Sequence, residues 1–151
     1  MNTDSILVIG GGLAGCEAAF AAAEQGVPVR LLEMKPDRYT PAHRSPLLGE
    51  LVCSNSLKAK RLGSAAGLLK EEMRRMGSLC VPVADDCAVP AGGALAVDRD
   101  RFAEEVTRRI AGHPLITVER GEAASLPSRG IAVVATGPLT AEPLAADIRR
   151  L

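Results

Sequence analysis

Six consecutive residues, Gly10, Gly11, Gly12, Leu13, Ala14 and Gly15, fit the pattern G-x-G-x-x-G. The chemistry this spacing serves is the binding of a pyrophosphate. The first glycine permits a tight turn, the second lets the backbone approach the phosphates, and the third lets a helix pack closely on a strand. A helix opening at this point turns free amides and a partial positive charge toward the anion. Glu33 lies eighteen residues beyond Gly15. A carboxylate at that separation accepts hydrogen bonds from an adenosine ribose, which argues for a ribose without a 2′-phosphate. The fingerprint does not distinguish NAD from FAD.

A second candidate is Cys53, in LVCSNSLKAK. Ser54, Asn55 and Ser56 are all competent helix N-caps, and Lys58, Lys60 and Arg61 follow closely. A helix N-terminus and nearby cations would stabilise the thiolate, the form that attacks electrophiles. Cys16, Cys80 and Cys87 read as small buried hydrophobes, with Cys16 on the helix face that should meet a sheet. The four cysteines form no C-x-x-C pair, so zinc patterns fail and no metal is expected. His43 could donate a proton or touch a phosphate, but a lone histidine in a proline-rich loop reads as solvated.

These residues need a scaffold. Ser5 to Ile9 reads as a short apolar strand, Leu13 to Gln25 as an alanine-rich helix capped by Gly26, and Val27 to Glu33 as a second strand. That is a βαβ unit. Lys35 to Glu50 holds three prolines and reads as a long loop. Leu68 to Gly77 is expected to be helical, with Leu69, Met73 and Met76 on one face and Glu71 paired to Arg75. Val81 to Val97 reads as brief strands and turns. A helix over Asp98 to Ile110 should turn Phe102, Val106 and Ile110 inward, followed by a strand near Leu115 to Glu119. Gly130 to Thr136 reads as a buried strand ending at Gly137-Pro138, and Ala141 to Leu151 as a last helix. An apolar strand finishing in Ala135-Thr136-Gly137 resembles the late strand of two-dinucleotide flavoproteins, which gives FAD weight.

With 151 residues, the chain is the size of about one domain. Apolar residues at 47% and charged residues at 24% exclude wholesale disorder. Eighteen basic and eighteen acidic residues cancel, which disfavours a free-standing nucleic-acid binder. Three aromatics, Phe20, Tyr39 and Phe102, are too few for a base-stacking platform. Lys58, Lys60, Arg61, Lys70, Arg74 and Arg75 make a locally basic segment, which more often forms a solvated face than an RNA site. No run reaches the ~20 apolar residues that span a bilayer, and the N-terminus does not read as a secretion signal. A cytoplasmic protein without membrane contact is expected.

Taken in order, ILVIGGGLAGCEAA, TPAH, LVCSNSLKA, GLLKEEMRRMGSL, VPAGGALAVDRDRF and VATGPLT closely resemble the N-terminal part of the folate- and FAD-dependent tRNA (uracil-5-)-methyltransferases. The related wobble-uridine modifying flavoproteins share a similar opening but not the LVCSNSL segment. The resemblance implies an α/β fold, a Rossmann-like FAD-binding domain with a parallel sheet, incomplete relative to the family. The domain would cover 1–151, with a family-specific insertion at about 35–97. It further implies that Gly10 through Gly15 hold the FAD pyrophosphate, that Glu33 holds the ribose, and that NAD(P)H recharges the flavin. Methylenetetrahydrofolate is the implied carbon donor, and carbon 5 of a uridine in the tRNA T-loop the acceptor. Cys53 would add to the uracil or support the flavin. A further cysteine implied for the family lies beyond position 151, so the adding thiol stays open. RSPLLGE before LVC departs from the family's usual aromatic-containing run. The alternative reading is a truncated, non-catalytic nucleotide-binding fragment of such an enzyme.

Overall fold

The structure is a computed structural model and describes residues 5–151. Its elements run β1 (Ile6–Ile9), α1 (Leu13–Glu24), β2 (Val29–Glu33), β3 (Ser56–Ala59), α2 (Ala65–Arg75), α3 (Cys80–Asp86), β4 (Ala88–Val89), β5 (Ala94–Val97), α4 (Arg99–Ala111), β6 (Ile116–Arg120), β7 (Ala132–Val134) and α5 (Glu142–Ile148). A 3₁₀ turn at Gly137–Leu139 joins β7 to α5.

Four strands form a parallel sheet in the order β6-β2-β1-β7. Strands β2 and β6 lie to one side of β1 and β7 to the other, so the connections diverge above β1. That switch point opens a crevice at the carboxyl ends of the strands, where ligands of open α/β sheets bind. In β2 the alternation is strict, with Val29, Leu31 and Glu33 buried. A carboxylate thus occupies a core-facing position at the strand's end.

Alanine richness in α1 has a packing consequence. Gly15, Cys16, Ala19 and Ala23 make its buried stripe, and these small side chains let the helix lie close on the sheet. Gly26, with φ +79°, takes the left-handed conformation that ends a helix. The helix α4 starts at Asp98, whose side chain accepts the amides of Asp100 and Arg101, and fully buries Phe102, Val106 and Ile110 as the spacing anticipates. Truncating Phe102 to alanine would cost about 3–5 kcal/mol.

A second, antiparallel sheet of order β3-β5-β4 lies between β2 and α4 in the chain. Here the structure differs from the sequence expectation. Cys80–Asp86 is helical, although Val-Pro-Val reads as strand, because Pro82 falls in the first turn where its missing N–H costs nothing. The cap comes from afar: Glu17 in α1 accepts hydrogen bonds from the amides of Leu79 at 3.0 Å and Cys80 at 2.8 Å, and from the Ser78 hydroxyl at 2.5 Å. The segment after Cys53 is a strand rather than a helix. Ser54 and Ser56 accept local amides instead, and the Asn55 side chain donates to the Val97 carbonyl at 3.1 Å. Gly130 to Thr136 is not a buried strand: β7 is an edge of the parallel sheet, and Ile131 and Val134 are exposed. The Leu69 and Met76 face of α2 is likewise exposed, while Gly67 and Lys70 are the residues it buries.

Candidate functional site

A cavity of about 300 Å³ opens where β1 and β2 end, lined by the glycine turn, Glu33, His43, Glu122 and the Thr136-Gly137 exit of β7. Each wall follows from local chain chemistry. The turn from β1 into α1 is held by the Gly10 amide donating to the Leu32 carbonyl at 2.8 Å. A Cβ on Gly15 would stand 1.8 Å from the Gly10 carbonyl oxygen, so only glycine lets the helix return this closely. At Gly12 the situation is opposite. A Cβ there meets nothing within 4 Å, and Gly12, Leu13 and Ala14 all line the cavity. The first-turn amides of α1 have no partner within the helix.

Glu33 is 6% exposed. Its Oε2 accepts the Gly11 amide at 2.6 Å and its Oε1 the Lys35 amide at 3.0 Å. A carboxylate has about four lone-pair sites, so both oxygens retain capacity toward the cavity.

The loop from Lys35 to Glu50 folds onto the turn. Gly49 donates to the Gly11 carbonyl at 2.8 Å, and Leu48, fully buried, donates its amide to Thr107 Oγ1 at 2.8 Å. The buried Lys35 ammonium donates to the Leu47 carbonyl at 2.7 Å and to Glu50 Oε2 at 3.0 Å. Burial acts to raise the Glu50 carboxyl. The amides of Arg44 and Ser45 and the Lys35 charge outweigh it, holding the group below the usual carboxylate range. His43 is not merely solvated, as the sequence suggests. It lines the cavity, with Nδ1 2.6 Å from Thr40 Oγ1.

Cys53 is exposed and is not among the residues lining the cavity, although its neighbour Val52 is. The segment that follows it is β3, not the helix whose N-terminus the sequence leads one to expect there. Lys58, Lys60 and Arg61 are exposed, whereas Arg74 and Arg75 of the same basic segment are bound to Glu71 and Asp85. Lys70 is buried, donating to the carbonyls of Ala59 and Ala66. Burial lowers its pKa. The other thiols are buried. Burial and the Glu33 charge push Cys16 up to about 12, and burial first, then Glu17, raises Cys80. Among the described residues no group of three or more His, Cys, Asp and Glu could hold a metal ion.

Two residues of the site escape the sequence motifs: His43, and Glu122 just past β6. The signal that could have found Glu122 is its place beyond the carboxyl end of a parallel strand. Glu122 Oε1 is buried without a hydrogen-bond partner, the single such side-chain atom among the described residues.

A parallel sheet with a glycine turn after its first strand, a carboxylate ending the second, and a cavity at the switch point defines an α/β fold of the Rossmann type. The sequence matches the family model of glucose inhibited division protein A over residues 5–147, and the chain belongs to that family. It is 60% identical to the methylenetetrahydrofolate–tRNA-(uracil-5-)-methyltransferase TrmFO of Geotalea daltonii over 98% of this chain and 34% of that protein. The protein of the same name from Desulfitobacterium hafniense is 60% identical over 97% of this chain and 34% of its own length. The chain thus spans about a third of the curated relatives it matches. Among solved structures, Aquifex aeolicus GidA superposes with a TM-score of 0.67 at 19% identity, covering 85% of this chain and 22% of that one. The GidA-related protein from Thermus thermophilus gives 0.56 at 18%, covering 98% and 68%. At these identities the likeness speaks for the fold alone.

Proposed function

We propose that this chain is the dinucleotide-binding portion of a folate-dependent tRNA (uracil-5-)-methyltransferase, holding FAD on the turn from Gly10 to Gly15. The observation that carries the reading is Gly12, whose missing side chain leaves the mouth of the α1 N-terminus open beside Glu33. The donor set fits an FAD phosphate and sugar: uncommitted helix amides suit a diphosphate, and a buried carboxylate with spare lone pairs suits ribose hydroxyls. The names of the relatives, at 60% identity, support the methyl acceptor and carbon donor.

In this reading the chain binds the cofactor through Gly10, Gly11, Gly12, Leu13, Ala14 and Gly15, and orients its ribose with Glu33. The turn's stiffness, set by the Gly11 to Glu33 bond, fixes the phosphates without reorganisation on binding. Bound FAD, recharged by NAD(P)H, supplies the electrons that turn a transferred methylene into a methyl group. Cys53, exposed and therefore reachable by a polynucleotide, adds as thiolate to carbon 6 of the uracil and makes carbon 5 nucleophilic, or supports that step beside the flavin. The whole activity, with tRNA and folate as partners, belongs to the full-length architecture. No helix among the described residues is long and apolar enough to cross a membrane.

The test replaces the matching N-terminal third of the Geotalea daltonii relative by this chain. Labelled methylene carbon should appear at carbon 5 of a T-loop uridine transcript, and Cys53→Ala should abolish it with flavin still bound. A folded, flavin-loaded chimera that transfers no label contradicts the reading.

A further inference from the structure

Residues 51–70 and residues 88–97 contain neither Asp nor Glu. Folding brings these two stretches together, because they supply every strand of the antiparallel sheet of order β3-β5-β4. Their cations are Lys58, Lys60, Arg61 and Lys70. A chain with no net charge therefore keeps this sheet free of carboxylates and gathers positive charge along its β3 edge.

The basic segment splits into two kinds of residue. Lys70 is buried, and its ammonium donates to the Ala59 carbonyl at the end of β3 at 3.0 Å. Arg74 and Arg75 are bound to Glu71 and Asp85. Lys58, Lys60 and Arg61 are exposed, and among the described residues none of the three enters an ion pair. Their backbone is nonetheless held step by step. The Lys60 amide donates to the Gly93 carbonyl at 3.0 Å, and the Arg61 carbonyl accepts the Ser64 hydroxyl at 2.8 Å. Gly67 of α2 packs so closely that a Cβ there would stand 1.9 Å from the same Arg61 oxygen. The register of β3 on β5 shifts between Ser56 and Ala59, and within that irregularity Lys58 takes φ +68°, a left-handed conformation that a lysine adopts against its own sterics. Such an irregularity re-aims a side chain. Lysines on an edge strand also deter edge-to-edge pairing, but that task requires neither a strained backbone nor a buried ammonium anchoring the strand's end.

Cys53 is exposed and lies on the same run of chain, five residues before Lys58, which is at most about 18 Å of extended backbone. A row of unpaired cations with no acid among them suits a polymer of phosphates, which gains by releasing its condensed counterions. Resting on the reading above that a tRNA is the methyl acceptor, we propose that Lys58, Lys60 and Arg61 form a docking surface for the phosphate backbone of that RNA, laying it along the β3 edge toward Cys53. The surface positions the RNA and reads no base.

The experiment follows a fluorescently labelled tRNA transcript by anisotropy as it binds the 151-residue chain over a series of salt concentrations. The triple variant Lys58→Gln, Lys60→Gln, Arg61→Gln should bind about tenfold more weakly at low salt, and its plot of log affinity against log salt should be shallower by about 2–3, the share of three phosphate contacts. Its far-ultraviolet circular dichroism and its FAD binding should match wild type. A control removes the same charge elsewhere, with Arg99→Gln, Arg101→Gln and Arg129→Gln at exposed positions, and should keep the wild-type slope. No RNA binding by wild type, an unchanged slope in the first triple variant, or an equal loss in the control overturns the proposal. Displacement of the RNA by polyglutamate of matched charge also overturns it, since the surface would then not select phosphate. In the chimera described above, the first triple variant should raise KM for tRNA and leave kcat unchanged. An active chimera whose KM does not move overturns this inference and leaves the methyltransferase reading intact. A chimera that transfers no label contradicts that reading, and the anisotropy then judges the surface by itself.

Discussion

Glu33 and Gly11 are joined by a 2.6 Å hydrogen bond from the Gly11 amide to the carboxylate, across twenty-two residues of sequence. The end of β2 and the turn after β1 are therefore one rigid unit, and a group expected to touch a ribose also shapes the place for the phosphates. Glu33→Ala leaves the buried amides of Gly11 and Lys35 without acceptors. The expected cost is about 1–3 kcal/mol of stability, read from urea unfolding, together with loss of FAD binding. Unchanged stability would show that the bond contributes nothing to the turn.

Gly15 and Gly12 should respond oppositely to the same change. Gly15→Ala puts a methyl carbon 1.8 Å from the Gly10 carbonyl oxygen, backbone that cannot step aside, and is expected to destabilise by 1–3 kcal/mol or more. Gly12→Ala meets open space and should leave the unfolding free energy within about 0.5 kcal/mol of wild type. Equal effects at the two positions would contradict the geometry.

Thiol counting separates Cys53 from the rest. Cys53 is exposed and Cys16, Cys80 and Cys87 are buried, with the buried thiols raised chiefly by burial. Less thiolate and less access both slow thiol–disulfide exchange. A chromogenic disulfide reagent at neutral pH should titrate one thiol rapidly in the native protein and four in denaturant. Rapid reaction of a second native thiol would contradict the burial.

Glu50 ties acid stability to the loop over the cavity. Its native pKa lies below the ordinary value of 4.5, so its ionised form favours the fold. That stability is fully present above the unfolded-state value and is lost as pH falls through the lower native one. The stability gap between wild type and Glu50→Gln should be widest near neutrality, shrink as pH falls past the ordinary value of 4.5, and close only below the lower native one. A gap that stays constant with pH would mean the Lys35 pairing carries no net preference for the charged carboxyl.

Much of the scaffold is legible in the sequence because it is local. The apolar run before Gly10, the alanine helix ended by Gly26, and the Phe102, Val106, Ile110 spacing all signal their elements through periodicity. What fails is long-range. The cap on α3 is Glu17, some sixty positions away, so Val81 to Val83 with its proline reads as strand until the tertiary partner is known. Ser54, Asn55 and Ser56 look like helix caps, yet the Asn55 bond to Val97 recruits the segment into a sheet. Glu33 is marked by its spacing, but its grip on Gly11 is not. His43 and Glu122 enter the site through the folding back of a loop and the pairing of β6 with β2, neither of which a linear motif records.

The central claim is that the open turn at Gly12 holds a flavin dinucleotide, and FAD titration of the protein beside its Gly12→Val variant tests it most directly. Wild type should quench flavin fluorescence saturably, and the variant should not bind while retaining the wild-type unfolding midpoint, because the added side chain enters the mouth at a position where a Cβ meets no protein atom within 4 Å. Equal FAD affinity in the two proteins, or no binding by wild type, would contradict it.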